Sequence, residues 1–254
     1  MLSRLKAARL IGPMAMTLVA IVVLLALGTW QLQRRTWKEA LVARLVERAH
    51  APPVDLGAAL ALYDRTHDTE YLRVRVRGRF DFASERHLYA TDERAGPGWH
   101  IYTLLQPDFG GPKVLVNRGF VPVPLKEAGS RAGGQVEGDV EVVGLLRGSE
   151  EPGTFTPKND AKRNIWFWRD IAALRTAGAA AVAAPVSSAR EYPFAIDADA
   201  TPANPGGWPR GGATLVNLPN RHLEYALTWY GLAAALVVVF AMFAVGRLKD
   251  AESG

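Results

Sequence analysis

Two long stretches without a charged residue, one near each end of the chain, constrain the fold more than any other feature of the sequence. The first runs from Leu10 to Gln33 and the second from Tyr225 to Gly246, so they contain 24 and 22 residues. A helix rises about 1.5 Å per residue and the apolar part of a bilayer is about 30 Å thick. The sequence therefore predicts two membrane spans that enclose one segment of 191 residues, from Arg34 to Glu224.

The first stretch has an alternative interpretation as a cleaved signal peptide. Three basic residues precede it, and Ala26 and Gly28 resemble the small residues of a cleavage site. However, the apolar core of a signal peptide is usually about 7 to 15 residues long, which is shorter than this stretch. Trp30 also follows where an aromatic residue would anchor a span at the membrane surface. These two features favour a transmembrane helix.

Two spans place both termini on the same side of the membrane. The predicted order is a tail (1–9), a first span (10–30), an extramembrane domain (31–224), a second span (225–246) and a tail (247–254). The N-terminal tail is basic and lacks acidic residues, and basic segments beside a span favour the cytoplasm. We therefore expect cytoplasmic termini. Since the first tail is too short for a mitochondrial targeting segment, we also expect a bacterial inner membrane and a periplasmic domain.

Composition limits the classes of partner and chemistry. The chain has a net charge of +5, but the two tails contain five basic and two acidic residues, so the long segment is nearly neutral. Binding to nucleic acid is therefore not expected. The chain has no cysteine, which excludes disulfides and thiolate metal sites. It also lacks a glycine-rich phosphate loop, a nucleophile elbow and a pair of zinc histidines four residues apart.

Helical spacing continues beyond the first span. Trp37, Leu41 and Leu45 lie four residues apart, with charged residues mostly elsewhere, which is typical of an amphipathic helix. Pro52 and Pro53 would end it. We therefore predict that the helix continues outward from the first span over residues 31–49.

The rest of the long segment has the short alternating patterns of β-strands. The predicted strands are Tyr71 to Phe80, His87 to Thr91, Ile101 to Leu105, Val114 to Val121, Val136 to Leu146, Phe194 to Asp197 and Ala213 to Leu218. One helix is predicted from Trp168 to Ala184, opened near Asp170 and closed by Pro185, and Asp64 to Glu70 is predicted as an exposed loop. The predicted fold class is an α+β membrane protein. Its two transmembrane helices, N- and C-terminal, flank a mostly antiparallel β-rich extramembrane domain, a small sheet or open barrel with one or two helices.

Four arginines share one face of the first predicted strand. They are Arg73, Arg75, Arg77 and Arg79. Such a face can bind phosphate or carboxylate groups. It can also be a solvated face with scattered ion pairs to Asp64, Asp68 or Glu70, and the sequence favours this second interpretation.

His222 differs from the other four histidines because it lies at the start of a predicted span. At helical spacing it shares one face with Ala226 and Trp229, and Tyr225 is adjacent. An imidazole, a small residue and an aromatic ring suit a flat haem, with His222 as the axial ligand and Arg221 near a propionate. The spacing also fits an interfacial histidine bonded to head groups or to the loop domain, and spacing alone favours that interpretation.

Several motifs follow one another from the first span to the second. They are residues 28–38 (GTWQLQRRTWK), 75–81 (RVRGRFD), 116–122 (VNRGFVP), 155–159 (FTPKN), 164–166 (NIW), 169–170 (RD) and 222–232 (HLEYALTWYGL). In this order they resemble the signatures of the surfeit-locus-one family of cytochrome c oxidase assembly factors. The resemblance covers nearly the whole chain, and several ordered matches are far more specific than one short motif.

The resemblance implies a membrane-anchored accessory protein, not an enzyme, that helps to build the haem-copper centre of oxidase subunit one. It also implies transient binding of haem a, with His222 as the iron ligand and Arg221, Tyr225 and Trp229 beside it. No other metal site is expected. Ten further residues within or near the motifs are predicted to contact partners or to maintain the fold. They are Trp30, Arg34, Trp37, Gly78, Asn117, Arg118, Gly119, Trp166, Tyr230 and Gly231.

The implied partners are oxidase subunit one and the lipid bilayer, with haem a synthase as a second candidate protein. Two alternatives to haem delivery stay open. One is a scaffold that stabilises an intermediate of subunit one without carrying a cofactor. The other is a two-span sensor or transport accessory whose outer domain binds a ligand, although tails of nine and eight residues offer little with which to transmit a signal.

Overall fold

The computed structural model describes residues 10–177, 192–212 and 220–253, which fall into two units. One unit comprises residues up to 44 and from 217 onward, and the other comprises residues 45–216. The helices are α1 (Ile11–His50), α2 (Leu56–Thr66), α3 (Ile171–Thr176) and α4 (His222–Ser253). The strands are β1 (Val54–Asp55), β2 (Arg73–Asp92), β3 (Gly96–Pro107), β4 (Val114–Pro122), β5 (Val140–Gly148), β6 (Ile165–Trp166) and β7 (Phe194–Ala198).

The two uncharged stretches lie in the two long helices. Helix α1 has 40 residues, and the apolar part of α4 extends over 28 residues, from His222 to Lys249. Their most apolar windows have mean hydropathies of 2.4 and 2.2, and both helices are long enough to cross a bilayer. Helix α1 continues without a break through Trp30 and Trp37 to His50. By length and composition, these helices indicate a two-pass membrane protein.

The seven strands form one sheet whose pairing closes on itself. The order is β1-β2-β3-β4-β7-β5, and β5 pairs in turn with β2. Strand β2 is long enough for both neighbours, since Arg73–Gly78 pairs with β5 and Gly78–Asp92 pairs with β3. Most pairs are antiparallel, whereas β1–β2, β2–β6 and β4–β7 are parallel. The predicted fold class is therefore confirmed, but five strands form a closed ring rather than an open barrel.

Strand β2 is one continuous strand where the sequence indicated two separate strands. The sequence indicated two strands, Tyr71 to Phe80 and His87 to Thr91, whereas the structure has one strand of 20 residues. An irregularity in the β2–β3 register between Asp81 and Arg86 explains the difference. A bulge of this kind bends a strand without ending it, so the pattern of alternation is interrupted while the pairing continues.

Helix α2 was not predicted. Asp64 and its neighbours, which the sequence analysis placed in an exposed loop, form its last turn. His67 ends the helix in a left-handed conformation (φ 54°), and its N–H donates to Tyr63 O. Leu56 and Leu60 are buried in the core, as residues four apart on one helical face should be.

Helix α3 begins where the sequence predicts. The side chain of Asp170 accepts a hydrogen bond from Ala173 N at 3.0 Å, which caps the helix. Ile171 and Leu174 are buried. The predicted end near residue 184 and the predicted strand at 213–218 lie outside the described residues.

Two apolar clusters lie on opposite faces of β4, which is buried along almost its entire length. Val114 and Val116 pack in the cluster covered by α2, whereas Leu115 packs with Trp166 and α3. Successive side chains of a strand point to opposite faces, so this alternation is the one expected of a strand between two cores. The motif residues of β4 are therefore held rigidly on both sides.

The four arginines of β2 pair with acids from neighbouring elements. The pairs are Arg73–Asp199, Arg75–Asp55, Arg77–Glu141 and Arg79–Asp139, with N–O distances of 2.7 to 2.8 Å. The favoured interpretation of a surface with ion pairs therefore holds, but the predicted acids Asp64, Asp68 and Glu70 are not the partners. Asp68 binds Arg48 and Glu70 binds Arg147.

Candidate functional site

The two long helices approach each other closely through small residues. Gly28 and Ala226 are buried, and a Cβ added at Gly28 would lie 2.7 Å from Cε1 of Tyr230. The Thr29 Oγ1 and Tyr230 hydroxyl oxygens are 3.1 Å apart and share a hydrogen bond. Small residues at such a crossing let helix backbones approach within a membrane. Tyr230, a predicted partner or structural residue, thus contacts the first helix.

His222 forms a hydrogen bond to the first helix. Its Nδ1 lies 2.7 Å from Oε1 of Gln31, 191 positions earlier in the chain. An amide oxygen accepts but does not donate, so Nδ1 carries the proton in this arrangement. The lone pair of the neutral ring then lies on Nε2. A histidine that ligates a metal commonly has this arrangement, with the other ring N–H bonded to an oxygen.

The other residues predicted to lie around the haem differ in their exposure to solvent. Ala226 is only 1% exposed because it is buried in the helix pair, so it does not line the open slot that the spacing predicted. Tyr225 is 52% exposed, and Trp229 is partly buried. The exposed Arg221 lies 3.4 Å from Glu224. Of the predicted set, Arg221 and Tyr225 are therefore exposed, whereas His222 and Trp229 are partly buried.

Residues of the 28–38 motif lie along the outer part of α1. Trp30 and Trp37 are about half exposed, at 54% and 50%. The guanidinium of Arg34 lies 4.0 Å from the centre of the Trp37 ring, which is a cation–π contact. Gly231 on α4 has no atom within 4 Å of the position of an added Cβ among the described residues.

The motif of β4 is an internal network. Asn117 Nδ2 donates to Asp197 Oδ1 at 3.1 Å, and its Oδ1 accepts from Gly119 N, also at 3.1 Å. Gly119 has φ +122°, and an added Cβ would overlap the backbone of Arg210 and Gly211. Arg118 is 2% exposed, so its guanidinium lies in the interior rather than on a partner-binding surface.

Gly78 and Trp166 also lie at close-packed positions. An added Cβ at Gly78 would clash with Gln106 of the neighbouring strand, which explains why a residue without a side chain is needed there. Trp166 is 1% exposed, and its Nε1 donates to Asn164 Oδ1 at 3.1 Å. Asn164 Nδ2 in turn donates to Glu85 O. Both motif residues therefore pack within the domain.

A buried ionic cluster surrounds Glu85. Arg131, whose side chain is 1% exposed, donates to Glu85 Oε1, and His87 Nε2 lies 2.9 Å from the same oxygen. Gln135 Nε2 lies 3.4 Å from Oε2. Burial raises the pKa of Glu85, but these bonds and the charge of Arg131 outweigh burial, so the pKa is lowered from its ordinary value. The Glu85 carboxylate is therefore ionised at neutral pH.

Within the described ranges, no group of three or more His, Cys, Asp or Glu side chains converges as a metal site. Gln31 was missed because its partner is distant in sequence, although it lies in the first motif. Glu85 and Arg131 lie outside all the motifs, and no sequence signal identified them.

Comparison with known proteins agrees with the motifs. The model of the SURF1 family matches residues 18–234. Surfeit locus protein 1 of Mus musculus is 39% identical over 223 residues, which are 82% of this chain and 68% of the mouse protein. The Homo sapiens protein is 38% identical over 225 residues, 82% of this chain and 70% of its own length. The Takifugu rubripes protein is 37% identical over 238 residues, 88% of this chain and 93% of its own length.

These matches confirm the resemblance seen in the motifs. They cover both long helices and the domain between them, since residues 18–234 extend from within α1 into α4. The chain therefore belongs to the SURF1 family of cytochrome oxidase assembly factors.

Proposed function

We propose that the protein binds haem a at His222 and passes it to subunit one of a haem-copper oxidase during assembly. Family membership supports the role in assembly. The hydrogen bond between His222 and Gln31 supports the haem site, because it places the free lone pair on Nε2. This bond is the single observation that favours a ligand over an ordinary interfacial histidine.

The residues around His222 fit a haem on chemical grounds. A neutral imidazole is a common axial ligand of haem iron. Arg221 is exposed and would pair with a propionate, in competition with its present neighbour Glu224. The exposed ring of Tyr225 offers an apolar surface one helical turn further along. Haem a, when bound, would supply the iron and the macrocycle that the oxidase needs.

A site with one histidine suits temporary binding. In this proposal His222 is the one axial ligand that the chain supplies, and its ring is held through Nδ1 by Gln31. One axial bond holds the haem in place, while release requires that only this bond be broken. We infer a carrier rather than an enzyme, because the site contains no acid and base arranged around a reacting group.

We further propose a bacterial inner membrane, with cytoplasmic termini and the β-rich domain in the periplasm. The basic N-terminal tail supports this orientation. Oxidase subunit one is the proposed recipient of haem. Haem a synthase is the proposed donor, since haem must come from a protein in the same membrane.

Replacing His222 with alanine should abolish haem binding. We expect the full chain, purified from cells that make haem a, to show a Soret band that the His222→Ala protein lacks. The matched control is His50→Ala, because His50 is a histidine at the end of a long helix whose ring, among the described residues, bonds to the backbone oxygen of Val46 instead of to a side chain. An unchanged absorption spectrum in His222→Ala would contradict the ligand assignment.

Replacing Gln31 should weaken haem binding without abolishing it. Loss of the oxygen that orients a ligating histidine typically lowers metal affinity by about 10- to 100-fold. We expect this loss for Gln31→Leu and partial recovery for Gln31→Glu, whose carboxylate also accepts from Nδ1. Titration of the purified apoproteins with haem, followed by absorbance, measures both. Equal affinity of Gln31→Leu and the natural protein would show that the bond has no role in haem binding.

A third experiment separates delivery from scaffolding. Oxidase can be purified from a strain that lacks this protein and from strains that carry the natural or the His222→Ala protein. If the protein delivers haem, oxidase from the strain that lacks it and from the His222→Ala strain should have a low haem a content. A normal haem content with His222→Ala, together with a low content in the deletion strain, would instead support a scaffold without cofactor.

A further inference from the structure

The β-rich unit contains a cavity that none of the predicted roles uses. Its volume is about 290 Å³, and its walls come from β2, β5, β7 and the segment that follows β7. Phe80, Val140, Val142, Ala198 and Pro205 supply a largely apolar lining. Pockets for small organic ligands typically measure about 300 to 1,000 Å³. The cavity lies at the lower limit of this range, so it suits only a compact molecule.

Arg118 of β4 also lines this cavity. Its side chain is 2% exposed, and one of its nitrogens, Nη2, donates to Gly134 O. Its Nε and Nη1 atoms are buried and have no acceptor among the residues that the structure describes. The rings of Phe80 and Phe82 lie 4.9 and 5.0 Å from the guanidinium carbon. Arg118 thus combines an apolar setting with unused hydrogen-bond donors.

The carboxylates near Arg118 are engaged by other cations. Glu141 and Asp199 line the cavity, but they bond to Arg77 at 2.8 Å and to Arg73 at 2.7 Å. Glu85 contributes some attraction, yet it bonds to Arg131.

The guanidinium of Arg118 keeps its charge in this setting. Burial lowers its pKa to about 10, so it remains a cation at neutral pH. A buried cation without a counter-ion is destabilising. Glu85 and the rings of Phe80 and Phe82 offset this charge in part, but no described carboxylate bonds to the Nε or Nη1 atom of Arg118.

We infer that this cavity binds a small monocarboxylate with an apolar body, whose carboxylate accepts hydrogen bonds from Arg118. The apolar lining suits the body of such a molecule, and the unused donors suit its charged end. A single negative charge is favoured, because Glu141 and Asp199 stand at the same cavity and would repel a second one. The site lies wholly within residues 80–205 and does not depend on haem.

The test compares two probes that differ in charge but hardly in shape, 4-fluorobenzoate and its neutral isostere 4-fluorobenzamide. The full chain in nanodiscs is titrated with each, and binding is followed by the broadening of the ¹⁹F resonance. We expect saturable binding of the benzoate and at least about tenfold weaker binding of the benzamide, since a charge-assisted bond distinguishes them. Equal binding of both probes, or no saturable binding of the benzoate, would overturn the inference.

Two variants locate the binding. Arg118→Met removes the donors, and Ala203→Phe adds a ring at an exposed residue that lines the cavity mouth. Both should weaken benzoate binding at least about tenfold. Ala95→Phe is the matched control, since Ala95 lies exposed in the β2–β3 turn, away from the cavity, and should bind as the natural chain does.

Thermal unfolding distinguishes a ligand-binding arginine from a structural one. Because Arg118 lacks a counter-ion, Arg118→Met should melt at the same temperature as the natural chain or higher. A much lower melting temperature would show that Arg118 stabilises the fold by itself, and would contradict the inference. If that variant fails to fold, Ala203→Phe still tests the site, and undiminished benzoate binding there would reject it.

Discussion

Replacing Gly119 with alanine should destabilise the β-rich unit by about 3 to 5 kcal/mol, a large part of the stability of a typical domain. Gly119 has φ +122°, a region that L-residues with side chains rarely adopt. Its added Cβ would overlap Arg210 O and lie 2.5 Å from Gly211 N. This overlap can be relieved only if the backbone at Gly119 moves away from the backbone at Arg210. That movement breaks both hydrogen bonds between Phe120 and Arg210. Urea unfolding of the full chain, followed by circular dichroism, measures the effect.

The matched control for this substitution is Gly96→Ala. Gly96 also has a positive φ, +74°, but nothing lies within 4 Å of its added Cβ. That variant should lose only about 1 to 2 kcal/mol, the cost of a left-handed conformation with a side chain. The difference between the two variants contains the steric clash at Gly119 together with the greater strain of its φ of +122°. Equal losses would show that the close approach to Arg210 does not matter.

Replacing Glu85 with glutamine should cost about 3 to 5 kcal/mol, since it leaves the buried charge of Arg131 without its carboxylate. Both side chains are largely enclosed, at 10% and 1% exposure. The bond from His87 would also lose its charged acceptor. Asp139→Asn is a suitable control because Asp139 pairs with Arg79 on the surface, with both side chains about two-thirds exposed. That change should leave the unfolding midpoint nearly unchanged.

The effect of Glu85→Gln should depend on pH. The folded-state pKa of Glu85 is lower than the ordinary value of about 4.3. A carboxylate with a lowered pKa contributes stability above its unfolded pKa and loses it as the pH falls through the folded pKa. The difference between the natural protein and Glu85→Gln should therefore be full at pH 7 and shrink below about pH 4. A difference independent of pH would argue for a packing effect instead of a charge effect.

Features that depend on local pattern could be predicted from the sequence. The two uncharged stretches predicted the long helices, and alternation predicted β4 and β7 to within one residue. Asp170 predicted the start of α3. Helix α2 was missed although its signal is present, since Leu56, Ala59, Leu60 and Tyr63 have helical spacing. The prolines before this segment and the strand pattern after it favoured a loop instead.

Features that depend on register and long-range pairing could not be predicted. The acids that pair with the β2 arginines come from β1, β5 and their neighbours, and only the strand register brings Glu141 opposite Arg77. Gln31 meets His222 only because two helices pack together. Arg118 is typical of a surface residue by type, and its burial follows from the position of β4 between two apolar clusters. The candidate haem ligand was identified from sequence, whereas the residue that orients it was not.

Strand β7 lies between β4 and β5, yet it follows both of them in the chain by at least 45 residues. A growing polypeptide must therefore wait for residues 194–198 before the two earlier strands acquire their shared neighbour, so the ring is completed late in synthesis. The second membrane helix starts only a short distance later, at His222. Closure of the domain and insertion of the last helix are thus close in time, and a chain truncated before Phe194 would expose two unpaired strand edges to aggregation.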